Sequence, residues 1–229
     1  MLSNKDNLQI IYEDNHIIVI NKRASDIVQG DKTKDKPLSE VVKSYIKEKY
    51  NKPGDVYLGV VHRLDRPTSG IVVFAKTSKA LTRLNKSFAA HEPIKTYWAL
   101  VKDEPPHEQM ILVHHLKRNQ KQNKSYAHKN PVENSKKAEL SFKTIQVLQN
   151  YYLLEVALKT GRHHQIRSQL SAIGCPIKGD LKYGFDRSNK DASIHLHARS
   201  LEIIHPVKKE KMKFTAEVPD DNLWKSCVK

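Results

Sequence analysis

The sequence predicts an α+β fold. It is a single domain, residues 1–229 with its core between 8 and 219, built on a largely antiparallel mixed sheet flanked by helices. Two observations lead there. Strand-like segments outnumber helical ones, and they often follow one another directly instead of alternating with helices. The chain has 229 residues, 38% hydrophobic and 28% charged, enough to bury a sizeable core and too apolar for a disordered chain.

The elements read in order along the chain. Residues 8–20 carry Ile10, Ile11, Ile17, Ile18, Val19 and Ile20 around Glu13-Asp14-Asn15, which predicts two strands joined by a turn. Leu38, Val41, Val42, Tyr45 and Ile46 fall on one helical stripe over residues 38–50, with Asp35 or Ser39 near its start and Pro53-Gly54 beyond its end. Residues 57–61 and 71–75 read as strands. Thr77 or Ser78 caps a second helix bearing Leu81, Leu84 and Phe88, which Glu92-Pro93 closes. Thr96 to Val101 is a strand with Tyr97, Ala99 and Val101 on one side. Residues 117–137 hold seven Lys or Arg and one acid, and read as a basic loop or hairpin. Residues 140–147 and 151–158 are strands. A third helix runs from His163 to Ile173, with Ile166, Leu170 and Ile173 as its apolar stripe and His163 and Arg167 one turn apart on another face. Residues 194–204 and 212–218 close the chain as strands.

Composition narrows the partners. Forty Lys and Arg against 25 Asp and Glu give a formal charge of +15, which suits a polyanion. A stretch pairing a basic face with a strongly apolar one is lacking, so nucleic acid is favoured over a membrane surface. The apolar runs are too short to span a bilayer, and Met1 to Asn7 is unlike a secretory signal. Cys175 and Cys227 fit neither a disulfide framework nor a metal site, so a reducing cytoplasm is the simplest location. The paired histidines (His114-His115, His163-His164, His195 and His197) lack supporting cysteine or carboxylate ligands at metal-site spacing. His62 and His197 are expected to hydrogen-bond within the fold.

The segment His62-Arg63-Leu64-Asp65-Arg66-Pro67-Thr68-Ser69-Gly70 sets one carboxylate between two arginines, in a turn before an apolar strand. Nearby positive charge favours the anion. A carboxylate held ionised at a strand edge can act as nucleophile or base. Taken alone, the segment reads as a salt-bridged turn aspartate, and the rest of the chain reverses that reading.

Four further segments, in order along the chain, extend it. They are Tyr12 to Lys22, Lys95 to Val101, Gly161 to Arg167 continuing through Gly179 to Gly184, and His195 to Ala198 continuing through His205-Pro206. With the aspartate segment they make the chain resemble the RluA-type pseudouridine synthases over nearly its whole length. The chain departs from the family's usual residues at Arg23, where Pro is common; at Val28-Gln29-Gly30; and at His163, where Thr is common. Many relatives carry an N-terminal S4 RNA-binding domain. No room for one precedes residue 8, so the catalytic domain is expected to supply its own RNA contacts.

The resemblance implies the pseudouridine synthase fold, a uridine in rRNA or tRNA as substrate, and isomerisation of its N1–C1′ bond to C5–C1′. That reaction is redox-neutral and calls for no cofactor. Asp65 matches the family's essential aspartate, Arg167 the arginine that pairs with it, and Tyr97 the tyrosine lying against the target base. Arg63 is expected to contact the flipped nucleotide, and Ile166 to line the base pocket or simply the core. Lys117, Arg118, Lys121 and Lys124 are candidate phosphate contacts, with a plain solvated surface left open. A monomer is the default. Two other classes stay in view: a non-catalytic RNA-binding factor, and a nuclease holding Mg²⁺ on Asp55 and Asp65, which the arginines around Asp65 disfavour.

Overall fold

The computed structural model describes residues 2–30 and 33–228. In chain order the elements are β1 (Ile10–Glu13), β2 (Ile17–Lys22), α1 (Leu38–Lys49), β3 (Gly59–Val60), β4 (Ser69–Ala75), α2 (Ser78–Ala89) and β5 (Ile94–Val101). They continue with β6 (Gln109–Asn119), β7 (Lys124–His128), β8 (Lys136–Val147), β9 (Tyr152–Leu158), α3 (Gln165–Ala172), a 3-10 turn Leu181–Tyr183, β10 (Leu196–Ile204), β11 (Lys211–Thr215) and α4 (Asn222–Ser226). This is the expected α+β class. The chain divides into two compact units, residues 1–94 with 198–221, and residues 95–197 with 222–229.

In the first unit the strands run in the order β1-β2-β4-β10, with β11 beside β10 and the short β3 beside β4. The pairs β1–β2, β2–β4, β3–β4 and β10–β11 are antiparallel. Both faces of this sheet are covered, so β2 and β4 read as unbroken apolar runs. Side chains alternate across a strand. Ile17, Val19, Ile71 and Val73 therefore pack with Ala80 and Leu84 of α2, while Ile18, Ile20, Val72 and Phe74 pack with Leu38, Val42 and Ile46 of α1. Thr77 caps α2, its side chain accepting from the Ala80 N–H at 3.2 Å. The residue preceding α1 is Pro37, with no side-chain cap. Ser39 is buried within the first turn, and Asp35 pairs instead with Arg66 at 2.7 Å.

In the second unit β5-β9-β8-β6-β7 form an antiparallel set. One face carries Ala99, Leu112, Leu140, Phe142, Leu154 and Val156, against which Ile166 and Leu170 of α3 pack. The basic stretch is a hairpin: β6 runs to Asn119, turns at 120–123 and returns as β7. Helix α3 is shorter than the sequence suggests. His164 takes a left-handed conformation (φ 53°) before it, so His163 lies outside the helix and does not share a helical face with Arg167. Among the described residues, no helix is long and apolar enough to cross a membrane.

Candidate functional site

Asp65 sits half-buried on the turn between β3 and β4. Its carbonyl accepts from the Thr68 N–H at 3.0 Å, which closes the turn. Three features of the first unit fix this segment. His62 Nε2 accepts the Val73 N–H at 3.1 Å, and its ring stacks on Phe88. Gly70 has φ 112°, and a Cβ there would lie 2.4 Å from the Ala198 carbonyl oxygen, so only glycine fits. Lys22, fully buried, sends its Nζ to the carbonyls of Arg23 (2.9 Å), Asp26 (2.8 Å) and Arg66 (3.2 Å). The Arg66 carbonyl also accepts the Ser25 N–H at 2.8 Å.

Three carbonyls match the three N–H bonds of an ammonium. Burial pulls the Lys22 pKa down to about 7, while the Asp26 and Asp65 carboxylates oppose the fall. When protonated, Lys22 and the Asp65 carboxylate attract each other within the first unit. Of the two flanking arginines, Arg66 spreads its guanidinium to Asp35 (2.7 Å) and the Thr33 hydroxyl (2.7 Å), and Arg63 is exposed. The loop after β2 is thus tied to the aspartate turn at both the Arg66 carbonyl and its side chain.

The second unit holds Tyr97, Ile166, Arg167 and the hairpin lysines. Tyr97 lies half-buried on β5, opposite Val156, and packs against the core cluster that contains Ile166. Arg167 is 5% exposed, and Asp180, missed by sequence reasoning, is 1% exposed. Arg167 Nε and Nη2 grip the two Asp180 oxygens at 2.7 and 2.8 Å, a bidentate pair that fixes the guanidinium plane. Nη1 reaches His164 Nε2 at 3.1 Å, and the guanidinium carbon lies 5.0 Å from the Tyr183 ring centre. Sequence signals for Asp180 existed in Gly179-Asp180 and Tyr183-Gly184, but a single chain does not say which arginine the acid meets.

The candidate phosphate contacts separate in the structure. Lys117 and Arg118 are exposed at the end of β6, and Lys121 is exposed in the turn. Lys124 is half-buried, its ammonium 5.3 Å from the Tyr126 ring centre and 5.1 Å from that of Tyr183.

Comparison with known proteins places these residues in a family. A family model described as RNA pseudouridylate synthase matches residues 16–172. The chain is 34% identical over 224 residues to ribosomal large subunit pseudouridine synthase D of Zymomonas mobilis, covering 93% of this chain and 70% of that one. It is 32% identical over 213 residues to ribosomal large subunit pseudouridine synthase C of Vibrio vulnificus, covering 90% and 64%. It is 30% identical over 240 residues to tRNA pseudouridine synthase C of Vibrio cholerae, covering 96% and 94%. Among solved structures, human RNA pseudouridylate synthase domain containing 4 shares the fold, with a TM-score of 0.78 at 22% identity over 94% of this chain and 90% of that one. The chain belongs to the RNA pseudouridylate synthases, in their RluA-type branch.

Proposed function

We propose that this chain converts specific uridines of rRNA or tRNA to pseudouridine with Asp65 as the essential carboxylate. The observation that carries the reading is the aspartate turn, which lies within the matched family segment and whose backbone is held by Lys22 and Gly70. A carboxylate on so constrained a turn meets the need of catalysis for a charged group in a fixed place. Tyr97 is the stacking platform for the flipped base, a contact worth about 1–3 kcal/mol. Arg167, its plane set by Asp180, is the orienting arginine. Arg63 contacts the flipped nucleotide, Ile166 backs the base pocket, and Lys117, Arg118 and Lys121 meet RNA phosphates, with Lys124, held over Tyr126 and Tyr183, contributing less. The same reading has the chain acting as one catalytic domain, monomeric and cytoplasmic, where Cys175 and Cys227 remain free thiols.

Formation of the C5–C1′ bond expels the proton on uracil C5, so tritium placed there is released on turnover. The test compares the wild type with Asp65→Asn on unmodified rRNA and on a tRNA pool separately. Release by the wild type alone, with RNA binding retained in the variant, is the expected result. Equal release by Asp65→Asn removes that residue from the chemistry. Binding without release from either pool turns the reading toward a non-catalytic RNA-binding factor.

A further inference from the structure

Two histidines stand side by side in the second unit, and the reaction described above uses neither. Their rings stack with centroids 3.8 Å apart. His164 is buried and left-handed at φ 53°, a conformation strained for a residue with a Cβ, which persists only where surroundings enforce it. Its hydrogen bonds run in one direction. Arginine only donates, so the 3.1 Å contact with Arg167 Nη1 makes His164 Nε2 an acceptor. The ring proton is then on Nδ1, which donates to the Tyr183 hydroxyl oxygen at 2.9 Å. The same oxygen accepts the Ser125 backbone N–H at 2.8 Å. Ser125 is the second residue of β7, the return strand of the basic hairpin.

His163 faces the hairpin instead. Its Nδ1 meets the Ser125 hydroxyl at 2.9 Å and its Nε2 the Asn123 side-chain oxygen at 3.1 Å. Lys182 adds bonds to the carbonyls of Gln122 (3.3 Å) and Asn123 (3.2 Å) in the same turn. The hairpin turn, Tyr183, His164 and Arg167 therefore form one hydrogen-bonded chain.

We propose that His164 and Tyr183 are positioning residues for Arg167, tying its guanidinium to the basic hairpin, while His163 holds the hairpin turn in place for RNA. The assignment rests on the pseudouridine synthase reading and on Arg167's role in it. Asp180 grips one edge of the guanidinium and His164 accepts from Nη1 on the other, so the group is held from both sides. The neutral ring this requires agrees with the surroundings. Burial first, then the charges of Arg167, His163, Lys182 and Arg118, hold the His164 pKa down to about 2.

The experiment combines tritium-release kinetics, thermal melting and ring ¹⁵N NMR of the histidines on the full chain. Loss of the phenol in Tyr183→Phe is expected to lower kcat about tenfold with KM within about twofold, since small misplacement of an orienting group is felt in the chemical step. His164→Gln, whose amide oxygen can accept from Arg167, is expected to recover activity that His164→Ala loses. His163→Ala is expected to raise KM for RNA about fivefold and spare kcat, the pattern of lost uniform binding. Wild-type His164 should show the neutral Nδ1–H tautomer. Unchanged kinetics in Tyr183→Phe, or activity losses that merely follow the melting temperature across the series, would overturn the proposal. The tautomer needs no turnover. If the wild type releases no tritium, the activity reading fails separately, and an Nε2–H ring overturns the network while an Nδ1–H ring upholds it.

Discussion

Lys22 shows how a single side chain holds the aspartate turn. Its ammonium bonds three backbone carbonyls, one of them that of Arg66, next to Asp65. Lys22→Met keeps the stem and removes this donor from the Arg23 and Asp26 carbonyls, while the Arg66 carbonyl keeps its bond from the Ser25 N–H. Buried acceptors stripped of a partner cost about 1–3 kcal/mol each at most, so a loss of about 2–4 kcal/mol is expected once the loop relaxes. For a chain of this size that is a melting-temperature drop of roughly 4–16 °C. Activity should fall further than stability explains, because the Arg66 carbonyl sets the turn. A variant that melts and turns over like the wild type would remove Lys22 from this role. The aspartate itself was legible in the sequence, because its neighbours form an ordered motif. Lys22 was not, since a lysine ending a strand ordinarily reaches solvent. Asp180 escaped for a related reason: a bidentate partner 13 residues from Arg167, across a loop, leaves no periodic trace. The expected face shared by His163 and Arg167 fails because the left-handed His164 starts the helix two residues later.

The elements were legible where one period dominates. Helices α1 and α2 and strands β2, β4, β5 and β9 fall within a few residues of expectation. The first half of β6 was not read as a strand. Met110, Leu112 and Leu116 face inward while Ile111 and Val113 are exposed, so apolar residues stand on both faces and the alternation is lost. The 3-10 turn and α4 are too short to carry a pattern. What joins elements is also hard to read, and Glu13 at the end of β1 is the clearest case. It accepts from Lys49 (2.7 Å) and Tyr45 (3.2 Å) of α1, Tyr50 just after it (3.1 Å), and Lys76 after β4 (2.6 Å). Burial alone would raise its carboxyl, but the bonds from Lys49, Lys76 and Tyr50 outweigh it and bring the pKa from 4.5 to about 2. Asp14 behaves alike: burial is outweighed by the N–H groups of His16 and Ile17, and its pKa falls from 3.8 to about 2. A folded pKa below the unfolded one contributes stability above the unfolded value and loses it as protons bind. Melting temperature should therefore fall as pH drops from about 4.5 toward 2, with Glu13 contributing about 2 kcal/mol at neutral pH after allowance for its partly exposed lysine partners. Glu13→Gln should melt lower at neutral pH and converge with the wild type near pH 2. Parallel curves at all pH values would show that the cluster does not link β1 to α1 through charge.

At the scale of the whole molecule the excess of 15 positive charges predicts that RNA binding weakens steeply with salt. Net charge does not say where the polyanion lies, and the proposed hairpin contacts make that question testable locally. Lys117, Arg118 and Lys121 point to solvent at its far end, whereas Lys124 already lies against two tyrosine rings. Each lysine that meets a phosphate releases counterions, contributing about 0.7–0.9 to the slope of log affinity against log salt. Lys117→Gln with Lys121→Gln should flatten that slope by about 1.4–1.8 while leaving the melting temperature unchanged, since neither side chain supports the fold. Lys124→Gln should behave differently. It removes a cation held over Tyr126 and Tyr183, so it should lower stability by about 0.5–1 kcal/mol and change the salt slope less than either exposed lysine. Binding titrations across a salt series, with melts on the same samples, separate the two classes. If the double variant keeps the wild-type slope, the hairpin does not meet phosphate and the molecule's charge acts on RNA from another surface. If Lys124→Gln flattens the slope as much as the exposed pair, its ammonium leaves the tyrosines when RNA arrives.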